Sequence, residues 1–565
     1  MCGIVGILSK KSGNVAPLIV KMLSCMKNRG PDGVGLATGN EIVYSENFDK
    51  ALFSQIQAQD VLGHSRLAIV GGSCGSQPFM SCDKKFILEH NGEIYNYKEL
   101  RQRLSPENHL FTTATDSEVI VHLLEDQYEK SQGNLIEAIK KTVALLDGIY
   151  ILAIKEQSTG DIVLVRDGIG VRQIYYGENK DFIAFGSEKK ALWQIGMFEQ
   201  IQRLLPGYGL VISNKERLST SNMTLVPITV DTNKSIRKNY PILYKDIDSA
   251  VNAYSDALYQ SVRKRVRGFE KIGIIFSGGI DSVVVAYLAK QMVPEVICYT
   301  SGIKGSSDII NSQSIAEKLG LKLEVREYTE NDVERIIPHI INIIEDDNMG
   351  QVEVAIPIYG AVSLAHEQGI RVMLTGQGAD ELFGGYSWYS KIVQKHGYDK
   401  IVDYMTEDLR LLYKETLERE DKITMSQSIE LREPFLDTAL IDSVMRIDPR
   451  LNIQNDGDKY DNLGKRVHRK LAEKIGIPTE IAYRIKEAAQ HGSGIHGVIE
   501  SLARKNGFNE SMVKPSYLLK LKKRELMGSS QRYGHLFESE KIWKLEPHIQ
   551  MYLENIAANI LPKMN

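Results

Sequence analysis

Residues 272–290 read IGIIFSGGIDSVVVAYLAK. The short apolar run from Ile272 to Phe276 has the pattern of a buried strand, broken at once by Ser277-Gly278-Gly279. A helix of β-branched and apolar residues then follows, from Val283 to Met292. Strand, glycine turn and helix start together offer free backbone N–H groups to an anion. The paired glycines let the main chain approach phosphate oxygens, and Ser277 and Ser282 add hydroxyl donors. This is not the GxxxxGK[ST] loop: the lysine is missing, and Asp281 stands where such a loop avoids an acid. An acid beside phosphate makes chemical sense if it holds Mg²⁺.

Outward from this stretch, a helical pattern at Asp248–Arg265 precedes it and a strand pattern at Val296–Thr300 follows. That rhythm of strand and helix argues for a parallel sheet with helices on both faces. Beyond about residue 390 the reading is largely helical, with no clear strand. Toward the N-terminus the texture changes to short β-type runs: Gly3–Leu8, Leu67–Val70, Phe86–Glu89, Ile149–Ile154, Ile162–Val165, Ile174–Tyr176 and Phe182–Gly186. Turn pairs such as Asn91-Gly92 and Asp167-Gly168 punctuate them, and helical patterns interrupt at Ala16–Met26 and Asp116–Asp126. The expectation is α/β overall. An α+β, mostly antiparallel domain over 1–212 and a polar linker over 213–245 lead to a parallel-sheet domain with a helical C-terminal part over 246–565.

Composition sets bounds. With 43% apolar and 25% charged residues in 565, the chain reads as globular and as more than one core. A net charge of −3 gives no pull toward phosphate backbones, so a nucleic-acid partner is not expected, despite the local cluster Arg263, Lys264, Arg265 and Arg267. Cys2, Cys25, Cys74, Cys82 and Cys298 are too scattered for a disulfide framework, and no CxxC pair suggests zinc or a dithiol. No segment reads as a signal peptide or approaches a membrane span, so a cytoplasmic protein is expected.

A second constellation opens the chain, Met1-Cys2-Gly3-Ile4-Val5-Gly6-Ile7. A small second residue permits removal of the initiator methionine, which exposes Cys2 with a free α-amine. An α-amine near pKa of about 7.7–8.0 can accept the proton of a thiol near about 8.5, directly or through water. A nucleophile that carries its own base follows.

The order MCGIVGI (1–7), RGPDG (29–33), HSRLAI (64–69), QPF (77–79), NGEIYN (91–96), TDSE (115–118), LDGIYILAI (146–154) and GSEKKAL (186–192) resembles the glutaminase domain of the asparagine synthetase family. The resemblance implies a four-layer αββα fold in which Cys2 attacks the glutamine amide to give a thioester. It implies that Asn91 and the N–H of Gly92 form the oxyanion hole. Arg66, with Leu67 and Ile69, would hold the glutamine α-carboxylate end, and Glu93 with Asp116 the α-ammonium.

The SGGIDS string resembles the loop of ATP pyrophosphatases. The family's later strings recur in order as TGQGADELFGGY (375–386), ELREPFLD (430–437) and RIKE (484–487). By this resemblance Ser277, Gly278, Gly279 and Ser282 hold pyrophosphate, and Asp281 and Asp380 hold Mg²⁺. Ile275 and Ser301 line the adenine side, Thr375 and Gly376 approach the nucleotide, and Lys486 stabilises charge as an acyl-adenylate forms and collapses. Gln377, Glu430 and Arg432 are implied at the acceptor. The implied reaction takes ATP, aspartate and glutamine to asparagine, AMP, pyrophosphate and glutamate, in a homodimer with an internal ammonia tunnel. One departure bears on the acceptor. Well-known members carry Glu, and β-lactam-forming relatives Tyr, where this chain has Gln377; a glutamine orients a ligand but supplies neither base nor counter-charge. QHGSG (490–494) also differs from the family's FSDG-type segment. A sugar acid, peptide or other small carboxylate is therefore the alternative acceptor. Two further classes are a tRNA-modifying enzyme, for which only Cys298 is at hand, and a non-catalytic relative.

Overall fold

The computed structural model describes residues 2–39, 41–48, 53, 55–72, 75–104, 109–214, 223–229, 241–454, 463–524 and 546–562. Met1, whose removal the reading of Cys2 requires, and Cys74 lie outside these residues. The chain forms two compact units that divide near residue 232.

In the first unit the strand Cys2–Ser9 is buried along its whole length. A strand covered on both faces must be apolar or small at every position, which is what CGIVGILS supplies. It lies inside a seven-stranded antiparallel sheet in the order Gln202–Arg203, Tyr175–Glu178, Phe182–Gly186, Cys2–Ser9, Asp60–Arg66, Val34–Thr38, Glu41–Ser45. A six-stranded sheet runs Met223–Pro227, Tyr208–Ile212, Ile162–Arg166, Gly148–Glu156, Phe86–Ile94, Phe79–Met80. Ile4, Leu8 and Leu62 of the first sheet meet Ile87, Ile151 and Leu164 of the second. Each such side chain contributes about 1.5–3 kcal/mol by leaving water. The helix Ala16–Ser24 covers the outer face of one sheet, and Glu118–Lys130 with Leu135–Val143 covers the other. The layers are αββα.

The second unit holds a five-stranded parallel sheet in the order Lys322–Tyr328, Glu295–Ile303, Lys271–Ile275, Val372–Leu374, Glu430–Arg432. Ala361, Val362 and Ala365 of the helix Met349–Glu367 pack on Ile297, Tyr299 and Met373 of the sheet. A helical layer then gathers Glu330–Ile344, Met349–Glu367, Ile495–Lys505 and Pro547–Ala557 around one apolar cluster. No helix among the described residues is long and apolar enough to cross a membrane.

Several expectations need correction. Leu67–Val70 is not a strand: the chain turns there because the Arg66 guanidinium draws in the carbonyls of Val70 and Gly72. The presumed linker from 213 contains the strand Met223–Pro227, paired to Tyr208–Ile212, so the first unit continues past 212. Residues 215–222 and 230–240, most of the remaining linker reading, lie outside the described residues. Glu430–Arg432 is a strand in the region read as largely helical with no clear strand. Arg265 is not part of a free basic patch; it is buried and donates to Asp437 at 2.8 Å.

Candidate functional site

Each unit assembles one site. In the first, antiparallel register sets Cys2 opposite Arg66. The Cys2 backbone nitrogen donates to Asn91 Oδ1 at 3.0 Å, which ties the start of a central strand of one sheet to a strand of the other. Asn91 is fully buried, and its Nδ2 has no hydrogen-bond partner. A buried amide donor without an acceptor costs on the order of 1–3 kcal/mol unless something else accepts from it. With its oxygen fixed by Cys2, the Asn91 N–H₂ is a donor held ready for an oxygen that the protein does not provide. Gly92 follows for a steric reason: a Cβ there would lie 1.9 Å from the Ile149 carbonyl oxygen.

Burial pushes the Cys2 thiol up, and a hydrogen bond from the Leu67 N–H and the Arg66 charge oppose it. Cys298 has only weak opposition, and burial drives it up to about 12. A thiol sealed in a sheet strand in this way is chemically quiet, which leaves the sulfur chemistry of the tRNA-modifying class without an agent.

Around Cys2 the polar groups are fixed by other elements. Arg66 Nη2 donates to Gly72 O at 2.7 Å, which curls its fork over the segment carrying Leu67 and Ile69. Asp116 Oδ2 accepts from Ile94 N at 2.9 Å, one residue beyond the buried Glu93. Gln77 accepts from His90 N at 2.7 Å, and His90 meets the Ser117 hydroxyl at 2.9 Å, so the strand bearing Asn91 is tied to the segment bearing Asp116. The sequence reading gave Arg29 no role. It is buried, donates to the Cys2 carbonyl at 3.3 Å and to Glu188 at 3.0 Å, and so anchors the nucleophile's strand.

The second site lies beyond the carboxyl ends of the parallel strands, where open α/β sheets bind ligands. Ile275, Ser277, Asp281 and Ser282 line a cleft there. Ser301 joins them from the next strand, and Thr375, Gly376, Gln377 and Asp380 from the loop after Val372–Leu374. Gly278 has φ 64, a left-handed conformation that suits glycine. The helix Ile280–Lys290 starts at Gly279 with no side-chain cap, so its first N–H groups and dipole face the loop. A Cβ on Gly376 would lie 2.6 Å from Asp281 Cβ, so the two loops touch through a glycine.

Charge dominates this cleft. Lys465 Nζ stands 2.7 Å from Asp281 and 2.6 Å from Asp380, and Lys486 Nζ stands 3.7 Å from each. Burial alone pushes the Asp281 carboxyl up. Lys465, a hydrogen bond with His468, and Lys486 outweigh it and hold the group well below the usual carboxylate range. Asp380 in turn raises the Lys486 ammonium above its ordinary value. Two carboxylates converging on one cation position are hard oxygen donors that suit Mg²⁺, which takes one or two carboxylates with phosphate oxygens. Asp308 also lines the cleft, and burial raises its carboxyl to about 6 against the pull of Lys486 and Arg484.

Of the three residues expected at the acceptor, two are not brought there. Glu430 and Arg432 are buried, paired at 2.6 Å, and Arg432 also donates to Arg265 O at 2.6 Å. They form an ion pair within the sheet's last strand and do not line the cleft. Arg419 does line it: it donates to Gln351 Oε1 at 2.9 Å, and its buried Nε has no hydrogen-bond partner. Lys465, His468 and Arg419 were missed because none sits in a glycine-rich or otherwise distinctive string.

Comparison with known proteins finds a family match in each of the two units. The asparagine synthase family model matches residues 253–403 and 393–554, and the glutamine amidotransferase domain model matches residues 49–205. A putative asparagine synthetase [glutamine-hydrolyzing] 1 of Methanocaldococcus jannaschii is 34% identical over 548 residues, 91% of this chain and 97% of that protein. Asparagine synthetase [glutamine-hydrolyzing] 2 of Lotus japonicus is 29% identical over 89% of this chain and 79% of its own length. A probable asparagine synthetase of Dictyostelium discoideum is 27% identical over 92% and 90%. With one domain that carries a thiol at the head of a buried strand and another that carries a pyrophosphatase-type loop, this chain belongs to the asparagine synthetase family.

Proposed function

We propose that the chain makes L-asparagine from L-aspartate, with ATP cleaved to AMP and pyrophosphate and nitrogen drawn from glutamine. The observation that carries this reading is the pairing of Asn91 with Cys2, which leaves a buried amide donor unsatisfied beside the thiol. Cys2, freed of Met1, attacks the glutamine amide carbon, and its α-amine takes the thiol proton. Asn91 Nδ2 and the Gly92 N–H receive the developing oxyanion, a contribution of about 3–4 kcal/mol per donor. Ammonia leaves, and water hydrolyses the thioester to glutamate. Arg66 clamps the glutamine α-carboxylate, and Asp116 with Glu93 takes its ammonium.

In the second unit the loop Ser277–Ser282 receives pyrophosphate at the helix start. Asp281 and Asp380 would hold Mg²⁺, which supplies positive charge to the phosphates when bound. The acceptor carboxylate attacks the α-phosphorus, pyrophosphate departs, and ammonia then displaces AMP from the acyl carbon. Lys486, 37% exposed at the cleft, offsets the negative charge that gathers on the α-phosphoryl group; its nearness to Asp281 and Asp380 supports that role. Arg419, with its spare N–H, takes a carboxylate of the acceptor.

Gln377 in the cleft supports a second reading, in which another small carboxylate replaces aspartate. Incubation of the enzyme with ATP, Mg²⁺, glutamine and a panel of acids, followed by mass analysis, tests both. Asparagine and AMP are expected; amidation of a different acid selects the second reading, and ADP with orthophosphate overturns both.

A further inference from the structure

The absence of a CxxC pair argued against zinc, yet the first unit gathers metal-type ligands from three separate segments. Cys82 lies in the turn between Phe79–Met80 and Phe86–Ile94, His109 in the segment leading to the next helix, and His122 and Glu125 one turn apart on the helix Glu118–Lys130. One ligand atom from each of the four lies within 4.8 Å of all the others. We propose that Cys82, His109, His122 and Glu125 form a structural zinc site that pins this helix to the adjoining turn.

The spacings carry the proposal. Four ligands about 2.0–2.3 Å from a tetrahedral zinc stand about 3.3–3.6 Å from one another. Here Cys82 Sγ is 3.6 Å from His122 Nδ1, and Glu125 Oε2 is 3.0 Å from His122 Nδ1 and 3.4 Å from His109 Nδ1. The chemistry of a sulfur, two imidazoles and a carboxylate suits a closed zinc site.

The outer contacts orient each ligand. His109 turns its other nitrogen, Nε2, to Asp126 at 3.0 Å, the carboxylate–histidine arrangement that usually backs a metal. His122 Nε2 faces Glu118 at 3.9 Å, and that carboxylate is held by Thr112 N at 2.6 Å and Thr113 N at 2.8 Å. Glu125 Oε1 accepts from Asp83 N at 2.9 Å, and Cys82 Sγ accepts from Leu110 N at 3.4 Å. If His109 donates from Nε2 to Asp126, the lone pair of Nδ1 points at a carboxylate oxygen. His109 is only 8% exposed, and that Nδ1 has no hydrogen-bond partner. Lone pair against lone pair is repulsive unless a cation stands between them. A metal ion satisfies all four groups at once, whereas protons alone would require a doubly protonated His109 between Glu125 and Asp126.

The site lies outside the catalytic machinery proposed above, so it is independent of that reading. Its position suggests its use: the helix begins next to Asp116 and Ser117, which tie down the strand of Asn91.

The test uses the full chain carrying Cys2→Ala, so that the nucleophile's thiol does not contribute. Elemental analysis after chelator dialysis and Zn²⁺ titration is expected to give about one zinc per chain. Replacement with Co²⁺ is expected to give intense tetrahedral visible bands and a thiolate-to-cobalt charge-transfer band. Cys82→Ser, at an exposed turn, removes the charge-transfer band and the rise in melting temperature that Zn²⁺ produces. His109→Ala with His122→Ala removes the metal. A folded Cys2→Ala protein that takes up no stoichiometric Zn²⁺ or Co²⁺ overturns the proposal. So does a Cys82→Ser variant that keeps the band unchanged.

Discussion

The two candidate sites reach reactivity by opposite means. Around Cys2 the design is register and hydrogen bonding: a thiol at the first position of a buried strand, an amide aligned by one 3.0 Å bond, and a glycine with no room for a Cβ. Around Asp281 the design is charge balance, with each of two carboxylates within 3.7 Å of each of two lysines at a cleft. The first site is sensitive to tenths of an ångström and the second to the loss of a single charge. In the proposed reaction a neutral amide is attacked in one and a polyanion is cleaved in the other, so the contrast follows those substrates' own electrostatics.

The largest expected effect breaks the charge side. Lys486→Ala should lower synthesis about 10⁴-fold, close to 5–6 kcal/mol, with glutamine or ammonium alike, while glutaminase turnover stays intact. Steady-state rates with both donors check this. Lys465→Met should cost the second unit about 3–5 kcal/mol of stability, because Asp281 stays buried with its nearest cation gone. Urea denaturation reads that loss. On the register side, Asn91→Ala should lower glutamine hydrolysis about 10²–10³-fold and leave ammonium-driven synthesis unchanged. A glutamate-release assay beside an ammonium assay measures the difference.

The smallest effect is a pH slope. Burial raises Asp308 from 3.8 to about 6, so between these values the folded state binds more protons than the unfolded one. Its contribution is fully present below the lower value and is lost as pH rises through the upper one. Asp308→Asn should flatten that fall by roughly 2–3 kcal/mol across the window. Melting curves from pH 4 to 7 test it, and an unchanged slope would place the ionisation elsewhere.

Much of this was legible because the chemistry is local in the chain. SGGIDS brings loop, helix start and acid within six residues, and MCGIVGI places thiol and strand together. What was not legible is assembled at a distance. Lys465 meets Asp281 across 184 residues, and His109 meets Glu125 between a loop and a helix face, so no spacing rule reports either. The strand Asp60–Arg66 is read too far along the chain, with His64-Ser65-Arg66 as the start of a strand where they are its end, because these polar residues and Asp60 break the apolar pattern, yet all three are buried. Glu430 and Arg432 teach the reverse. Their place in ELREPFLD marks them as important, but a string of letters does not separate a ligand contact from an ion pair that closes a sheet edge.

The central claim is that a thiol in the first unit frees the nitrogen and that the second unit alone activates the acid. Cys2→Ala, assayed for AMP and amide with saturating glutamine and then with saturating ammonium, tests it most directly. The account predicts that synthesis from glutamine falls to background while synthesis from ammonium keeps the wild-type rate. Loss of both, or survival of both, would contradict it.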